Sequence, residues 1–234
     1  MGIKEGREPA SVNGLLNWNF IAKYTPMYVT AAKLTVTIAF WGILFSLAVG
    51  LVCAVIQYYR IPILRRVAAV YIELSRNTPL LVQLFFLYFG LPKIGVKWSA
   101  EVCAVVGLTF LGGSYMAEAI RSGLESVDTI QLESAASLGF DSRQTLVHIV
   151  LPQALAVSVP GVVANVIFLI KETSVVSGIA LADLMYVAKD LIGLYYETDE
   201  ALLMLVAAYL VILLPISLLA TLLERRLRYA GFGN

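Results

Sequence analysis

Two long stretches of the chain contain no charged residue. Leu34 to Ile56 and Ala201 to Leu223 each run for 23 residues without Asp, Glu, Lys or Arg. A helix needs about 20 apolar residues to cross the roughly 30 Å hydrocarbon core of a bilayer. Only helices and closed barrels satisfy their backbone inside lipid. Two stretches of this length therefore predict an all-α integral membrane protein.

Three further segments are apolar but are interrupted or bounded by charges. The charges are Glu73 and Arg76 inside the first, Glu101 and Glu118 around the second, and Lys171 and Glu172 late in the third. We therefore expect five spans in a single transmembrane domain that covers residues 1–234. The predicted spans are residues 34–56, 67–91, 101–118, 154–175 and 201–223.

The composition agrees with lipid as the main solvent. Hydrophobic residues make up 59% of the chain and charged residues 14%, against roughly 45–50% and about 25% in soluble domains. The formal net charge is +1, which suggests no nucleic-acid partner. Cys53 and Cys103 lie in apolar runs without a neighbouring His or Cys. This placement favours two buried thiols, and neither a disulfide nor a metal site is expected.

Five spans place the two termini on opposite sides of the membrane. Lys and Arg near span ends favour the cytoplasm, but here they divide almost evenly. With the C-terminus inside, eight lie in the cytoplasm: Arg60, Arg65, Arg66, Arg121, Arg143, Arg225, Arg226 and Arg228. Seven lie outside: Lys4, Arg7, Lys23, Lys33, Lys93, Lys97 and Lys189. The dense arginine cluster directly after the last span decides the prediction of an outer N-terminus and a cytoplasmic C-terminus.

Two other features lie outside the lipid core in this topology. The aromatic residues before the first span suit the headgroup level; they are Trp18, Phe20, Tyr24 and Tyr28. The connection over residues 183–200 is external and acidic.

One substantial cytoplasmic loop, approximately residues 121–152, joins spans three and four. Its apolar and polar residues alternate as in a short amphipathic helix that ends at Gly139, a plausible C-terminal cap. Asp141 and Gln144 have the spacing of a capping box that starts a second helix. We expect Pro152 to stop that second helix before the next span begins. The loop is therefore predicted to be a helix–turn–helix.

The same loop resembles the EAA loop of bacterial ABC importer permeases. The family pattern is E-A-A, three residues, G, nine residues, I, one residue, L-P. This chain matches every spacing and departs from the pattern only at Ser134. The matching positions are Glu133, Ser134, Ala135, Gly139, Ile149, Leu151 and Pro152.

This resemblance implies a type I ABC importer permease fold, in which the loop docks into a groove on a soluble ATPase subunit. The chain contains no G-x-x-x-x-G-K-[ST] phosphate loop, so ATP would be bound by the partner and this chain would not be an enzyme. An interfacial helix pair that merely lies on lipid is the alternative for the loop.

Arg76 is the charge that we expect deepest in the membrane. It lies nine residues beyond Val67, or roughly 14 Å along a helix, whereas Glu118 is expected near the inner surface, serving the loop. Pro79 removes a backbone donor and frees the carbonyl four residues back. Together with Thr78, these groups could bind an α-carboxylate. An ion pair between Arg76 and Glu73 is the structural alternative.

Residues 76–92 are similar to the polar amino-acid branch of these permeases, which usually shows R-G-T-P-L-L-V-Q; Asn77 replaces the Gly. Residues 171–174 likewise resemble the K-[DE]-[ST]-S stretch of that branch. The resemblance implies that Arg76 and Thr78 bind the substrate carboxylate. It assigns Glu172, Thr173 and Ser174 to the amine or side chain, with Asp183 a further candidate. Lys171 could contact substrate or extend to the headgroups.

The function implied by the resemblance is a permease subunit that imports polar amino acids across the bacterial cytoplasmic membrane. Its expected partners are an ATP-binding subunit homodimer, a second permease that is identical or homologous, an extracytoplasmic solute-binding protein and membrane lipid. An ion-coupled secondary carrier or channel that uses Glu73, Arg76 and Glu172 as a charge relay is the alternative. That alternative leaves the EAA spacing unexplained, and the sequence does not name the amino acid.

Overall fold

A computed structural model describes the backbone of residues 16–231 and the side chains of residues 16–226. The side chain of Arg228 thus lies outside the described residues. All regular structure between residues 16 and 231 is helical, which confirms the all-α prediction. The α-helices are α1 Trp18–Tyr58, α2 Leu64–Arg76, α3 Leu80–Phe85, α4 Ala100–Glu125, α5 Thr129–Ser137, α6 Ser142–Thr145, α7 Leu151–Glu172, α8 Leu184–Tyr195 and α9 Thr198–Gly231.

Four helical stretches are long and apolar enough to cross a membrane. They are Trp18–Tyr58, Ala100–Glu125, Ser142–Ile179 and Thr198–Arg226. The remaining predicted span is divided at residues 77–79 into α2 and the shorter apolar stretch Leu80–Ile94. We call the end of the bundle that carries α5 and α6 the loop end, and the opposite end the far end.

Helix α4 is the centre of the packing, with α1, α2 and α7 around it. Small residues allow α1 to approach it closely: a Cβ on Gly50 would lie 2.4 Å from the Cβ of Met116. The hydroxyl of Ser46 donates to the carbonyl of Leu108 across the same contact, at 3.2 Å. Close approach of this kind is how membrane helices associate, because lipid tails leave little hydrophobic driving force between them.

The first helix extends well beyond the predicted span. Its 41 residues correspond to about 60 Å, twice the thickness of a bilayer core. Trp18 is 67% exposed, as an interfacial residue would be. Phe20 and Tyr28 are buried against α8 and α9 instead, and the Tyr28 hydroxyl donates to the Ala201 carbonyl at 2.7 Å. These two residues therefore pack inside the protein and do not face lipid headgroups, because α8, in the acidic connection, covers them.

The expectation that Pro152 stops a helix is also wrong. The second loop helix runs through a π-helical turn, Leu146–Val150, directly into α7. Pro152 lies in the first turn of α7. In the π-turn just before Pro152, backbone hydrogen bonds join residues five apart instead of four. This change comes where the proline nitrogen has no hydrogen to donate. The second loop helix and the fourth span are consequently one continuous helical stretch.

Candidate functional site

Pro79 breaks the second span, as the sequence predicts. The backbone is extended at Pro79, with a ψ of 140°. The carbonyl of Ser75, four residues before the proline, accepts from the side-chain amide of Gln83 at 3.2 Å. Thr78 donates its hydroxyl to the Leu74 carbonyl at 2.7 Å and accepts from Gln83 at 3.0 Å. The polar groups at the break are therefore used to repair the backbone.

Arg76 ends α2 immediately before this break, and its partner is not Glu73. One guanidinium nitrogen lies 3.5 Å from a carboxylate oxygen of Glu118 on α4. The guanidinium carbon lies 5.3 Å from the ring centroid of Tyr115, also on α4. Glu73 instead accepts from the amide of Asn77 at 3.0 Å. The Arg76–Glu73 alternative is therefore wrong for this structure.

The contact between Arg76 and Glu118 spans a difference in height along the bundle. The hydroxyl of Ser75 donates to that of Ser114 at 3.0 Å, so the backbone of Glu118 lies at least one helical turn nearer the loop end than that of Arg76. Helix α4 continues beyond Glu118 and ends at Glu125. The long side chains of Arg76 and Glu118 bridge this difference.

A ladder of charges continues along α4 from Glu118 towards the loop end. Arg121 donates to both carboxylate oxygens of Glu118, at 3.3 and 3.0 Å, and to Glu125 at 2.6 Å. A polar cavity of about 270 Å³ adjoins this ladder and separates it from α1 and α2. It is lined by Gln57, Arg65, Ala69, Ile72, Glu73, Glu118, Arg121 and Glu125.

The second group of predicted site residues lies at the far end of α7. Glu172 ends that helix and is partly buried, and Thr173 and Ser174 begin a 3-10 segment. The Thr173 hydroxyl is fully buried and donates to the Ile170 carbonyl at 2.7 Å. Lys171 is exposed.

Asp183 forms the N-cap of α8, outside the membrane-spanning helices. One carboxylate oxygen accepts from the backbone N–H of Tyr186 at 2.9 Å. The other oxygen is buried without a hydrogen-bond partner among the described residues. Burial raises the pKa of the Asp183 carboxyl to about 6. The hydroxyl of Tyr209 on α9 is likewise buried without a described partner, and it lies close to Asp183, Thr173 and Ser174.

The two predicted groups occupy neighbouring elements without direct polar contact. Helix α3 packs on the 3-10 segment at Gly178, where an added Cβ would lie 2.6 Å from Leu81. Within residues 16–226, however, no hydrogen bond or ion pair joins Arg76 or Thr78 to Glu172–Ser174 or Asp183. An apolar cavity of about 430 Å³ lies beside the break, with Thr78 and Gln83 as its polar lining residues.

The loop between α4 and α7 contains the two predicted capped helices. Phe140 and Gly139 donate from their backbones to the carbonyls of Ala135 and Ala136, both at 3.0 Å. Gly139 has a φ of +83°, so the first helix ends in a Schellman motif that favours glycine. The capping box of Asp141 and Gln144 is present in full.

The EAA positions divide into an anchored group and an exposed group. Ala135 is buried, and Ile149 packs partly against the Val127, Val150 and Ala154 cluster that fixes the loop to α7. Glu133, Ser134 and Gly139 are exposed on the first helix and its turn, and Leu151 and Pro152 are exposed at the start of α7.

Comparison with known proteins places this architecture in a family. Residues 42–229 match the family described as binding-protein-dependent transport system inner membrane component. The chain belongs to this family. As a multi-pass inner membrane component, it uses its apolar helices as membrane spans.

Individual relatives of this inner membrane component agree in function class. It is 41% identical to a probable glutamine ABC transporter permease protein of Bacillus subtilis, over 68% of this chain and 73% of that protein. It is 34% identical to a probable amino-acid ABC transporter permease protein of Vibrio harveyi, over 82% of this chain and 88% of that protein. A crystal structure of an amino acid ABC transporter with histidines superposes with a TM-score of 0.83 at 33% identity, covering 91% of this chain and 100% of that one. The type I permease fold predicted from the sequence is confirmed.

Sequence reasoning missed several residues that surround the candidate site of this permease. Tyr115 and Glu118 contact Arg76 from α4, and Gln83 rebuilds the backbone around Thr78. Tyr209 joins Asp183 from α9. Contacts between helices that are far apart in the chain leave no periodic pattern in a single sequence. Of these residues, only Glu118 could be noticed from the sequence, because it is a charge next to an apolar segment.

Proposed function

We propose that this permease imports polar amino acids across the bacterial cytoplasmic membrane, driven by ATP hydrolysis on a partner subunit. The relatives support the substrate class, because those named above are amino-acid or glutamine ABC transporter permeases. The observation that carries the coupling is an exposed apolar surface on the EAA-type loop. Since the chain has no phosphate loop of its own, ATP would be bound by the partner.

The apolar surface lies on both loop helices and the turn between them. Leu138 is 78% exposed and Ile130 67% exposed, with Phe140 and Val147 also exposed. Apolar residues concentrated on a capped helix pair mark an interaction surface. We assign it to a homodimer of ATP-binding subunits, one for each of two permeases. The first loop helix is tied to α7 by a hydrogen bond between Gln131 and Gln153, so a movement of the loop would reach the spans.

The substrate would bind near the broken span. Arg76 contacts Glu118 through one nitrogen at 3.5 Å without a hydrogen bond, and 43% of its side chain is exposed, so most of its N–H donors are available to a carboxylate. Thr78 follows two residues later, within the break. We propose Glu172, Thr173, Ser174 and Asp183 for the amine or side chain of the substrate. Thr173 and Asp183 are fully buried in this conformation, so contact with substrate requires the far end to open.

The arginines directly after the last span decide the proposed orientation, because the far end also carries basic residues such as Lys93, Lys97 and Lys189. Arg225 and Arg226 lie at the loop end with Arg65, Arg66, Arg121 and Arg143, and we assign this end to the cytoplasm. The N-terminal end of α1 then lies outside. A solute-binding protein would dock on the far end, where Asp190, Glu197 and Asp199 give an acidic surface. A second permease, identical or homologous, would complete the pathway.

Deletion of residues 133–139 tests the coupling. The transporter is purified with the ATPase subunit that accompanies it and is reconstituted into liposomes loaded with ATP. We expect the deletion to abolish co-purification and amino-acid uptake while the chain still inserts into membranes. The proposal is wrong if uptake persists in the deletion variant. Uptake by the unaltered chain that follows an ion gradient and needs no ATP would also overturn it, and would favour an ion-coupled carrier.

A further inference from the structure

The contact between Arg76 and Glu118 is a single one of 3.5 Å, which another carboxylate could replace. We infer that Glu118 occupies the guanidinium of Arg76 when no substrate is bound and yields it to the carboxylate of the incoming amino acid. Glu118 is thereby a positioning residue whose competition sets the affinity of the site. This inference rests on the proposed role of Arg76 in carboxylate binding.

Glu118 is held much more firmly by Arg121 than by Arg76. Arg121 contacts both carboxylate oxygens with hydrogen bonds of 3.0 and 3.3 Å. Arg76 makes a single contact of 3.5 Å with one of those oxygens and no hydrogen bond. When Arg76 turns to another carboxylate, Glu118 therefore keeps a charged partner. A buried charge left alone would oppose the exchange strongly, and here that cost is avoided.

The Glu118 carboxylate stays accessible to water after it loses its contact with Arg76. Glu118 lines the polar cavity of about 270 Å³, and 31% of its side chain is exposed. Water in that cavity can replace the lost contact with Arg76. Glu73 lines the same cavity but is already paired with Asn77, so it is not a competing partner for the guanidinium.

Arg76 does not need Glu118 to stay in position. Its guanidinium lies over the ring of Tyr115 at 5.3 Å, within the range of a cation–π contact. Two residues of α7 hold Tyr115: Asn165 donates to its carbonyl at 3.1 Å, and the Phe168 ring centroid lies 5.2 Å from its own. Since a guanidinium presents five N–H donors, most of them remain available for a bidentate carboxylate.

Glu118→Gln tests the exchange by removing the charge while keeping the shape and an acceptor for Arg121. The probe is whichever of the twenty L-amino acids binds tightest to the purified, reconstituted transporter, together with its carboxamide. Because partly exposed ion pairs are weak, we expect the variant to bind the amino acid about two- to fivefold tighter. Binding of the carboxamide should not change, since the carboxamide does not compete for a guanidinium as a charged group does.

Three controls separate this effect from a general change in the protein. Glu101→Gln removes the same charge from the exposed first turn of α4 and should leave both affinities unchanged. In an Arg76→Gln background, Glu118→Gln should no longer tighten binding. Glu118→Asp keeps the charge but withdraws it by about one carbon–carbon bond, and it should tighten binding less than Gln does. This variant also covers the case in which Glu118→Gln fails to assemble.

Three results would overturn the exchange. Weaker amino-acid binding by Glu118→Gln would place Glu118 against the ammonium group of the substrate. Equal tightening for the amino acid and the carboxamide would indicate a structural effect. Failure of the proposed function is distinguishable from failure of the exchange, because the wild-type transporter would then bind none of the twenty amino acids. Wild-type binding that Glu118→Gln leaves unchanged refutes only the exchange.

Discussion

The side-chain amide of Gln83 donates to the backbone carbonyl of Ser75 across the break at Pro79, at 3.2 Å. Pro79 has no N–H, so it cannot serve this carbonyl as the fourth residue along a helix normally would. The same amide also reaches the carbonyl of Thr78 at 3.1 Å. One side chain thus serves two backbone acceptors at the break in an apolar environment, and the Thr78 hydroxyl gives the Ser75 carbonyl only a longer contact of 3.4 Å.

Gln83→Met should therefore destabilise the protein by about 1–3 kcal/mol, the cost of unsatisfied buried polar groups. The measurement is the thermal stability of the detergent-solubilised chain. Val82→Met is the matched control, because Val82 is adjacent and 57% exposed; surface substitutions usually change stability by less than about 0.5 kcal/mol. Equal losses in the two variants would show that the amide does not support the break.

Arg76→Gln should weaken amino-acid binding about tenfold or more, because a hydrogen bond to a charged group contributes about 1.5–3 kcal/mol. The measurement is equilibrium binding to the reconstituted transporter. Arg66→Gln removes the same charge from an exposed position on α2 and should bind normally. If Arg76→Gln keeps the wild-type affinity, Arg76 has only a structural role.

Gly139→Val should reduce co-purification of the ATPase subunit, because a β-branched residue is strained at a φ of +83° and would change the turn between the loop helices. Nothing lies within 4 Å of the position of its Cβ, so the effect comes from the backbone alone. Gly95→Val is matched, with a φ of +89° and equally open surroundings, but it lies at the far end. It should suffer similar strain, about 1–2 kcal/mol, and retain the ATPase. Loss of the ATPase in both variants would contradict a specific role of the loop.

Gly50→Ala should destabilise the contact between α1 and α4. The new methyl group would lie 2.4 Å from the Cβ of Met116 and 2.9 Å from the backbone nitrogen of Ala117, and overpacking of this kind costs about 1–3 kcal/mol. Gly193→Ala on α8 meets nothing within 4 Å and should be neutral or stabilising by about 0.5–1 kcal/mol. Thermal unfolding in detergent compares the two. A Gly50→Ala protein as stable as Gly193→Ala would show that the helices can separate freely.

Asp183→Asn should stabilise the protein above pH 6 and flatten its pH dependence. Burial raises the pKa of Asp183 from 3.8 to about 6 in the folded chain. The folded state then binds more protons than the unfolded state between these values, so stability is greatest below about pH 4 and falls as pH rises through 6. The loss amounts to about 3 kcal/mol. Asparagine keeps the capping acceptor for Tyr186 and removes the charge.

The measurement is unfolding from pH 4 to 8, with Asp199→Asn at an exposed position as the control. Lys189 acts on Asp183 in the opposite direction but more weakly than burial. A pH profile that Asp183→Asn leaves unchanged would mean that the carboxyl does not titrate in this range.

Local features of the chain could be predicted from its sequence. The break at Pro79, the turn at Gly139 and the capping box at Asp141 depend on neighbouring residues, and all three are present. The two uncharged stretches likewise indicated helices in lipid. Each of these inferences needed only the chemistry of one short segment.

Features that depend on distant residues could not be predicted. The partner of Arg76 is 42 residues away on another helix, and the nearest carboxylate in sequence, Glu73, was the only candidate that spacing suggested. Phe20 and Tyr28 looked interfacial because α8, which covers them, was not anticipated. Pro152 looked like a stop signal because a π-turn cannot be recognised from composition.

The continuity between the loop and α7 has a mechanical consequence. From Ser142 to Glu172 the chain is continuously helical, with a π-turn at Leu146–Val150 and Pro160 inside α7, over a length of about 46 Å. Such a helix acts as a lever pivoted within the bundle. A tilt of about five degrees around a pivot near its middle moves each tip by about 2 Å over this length. Thr173 and Ser174 directly follow the tip opposite the loop, so a movement of the loop helix would be transmitted to residues proposed to bind the substrate.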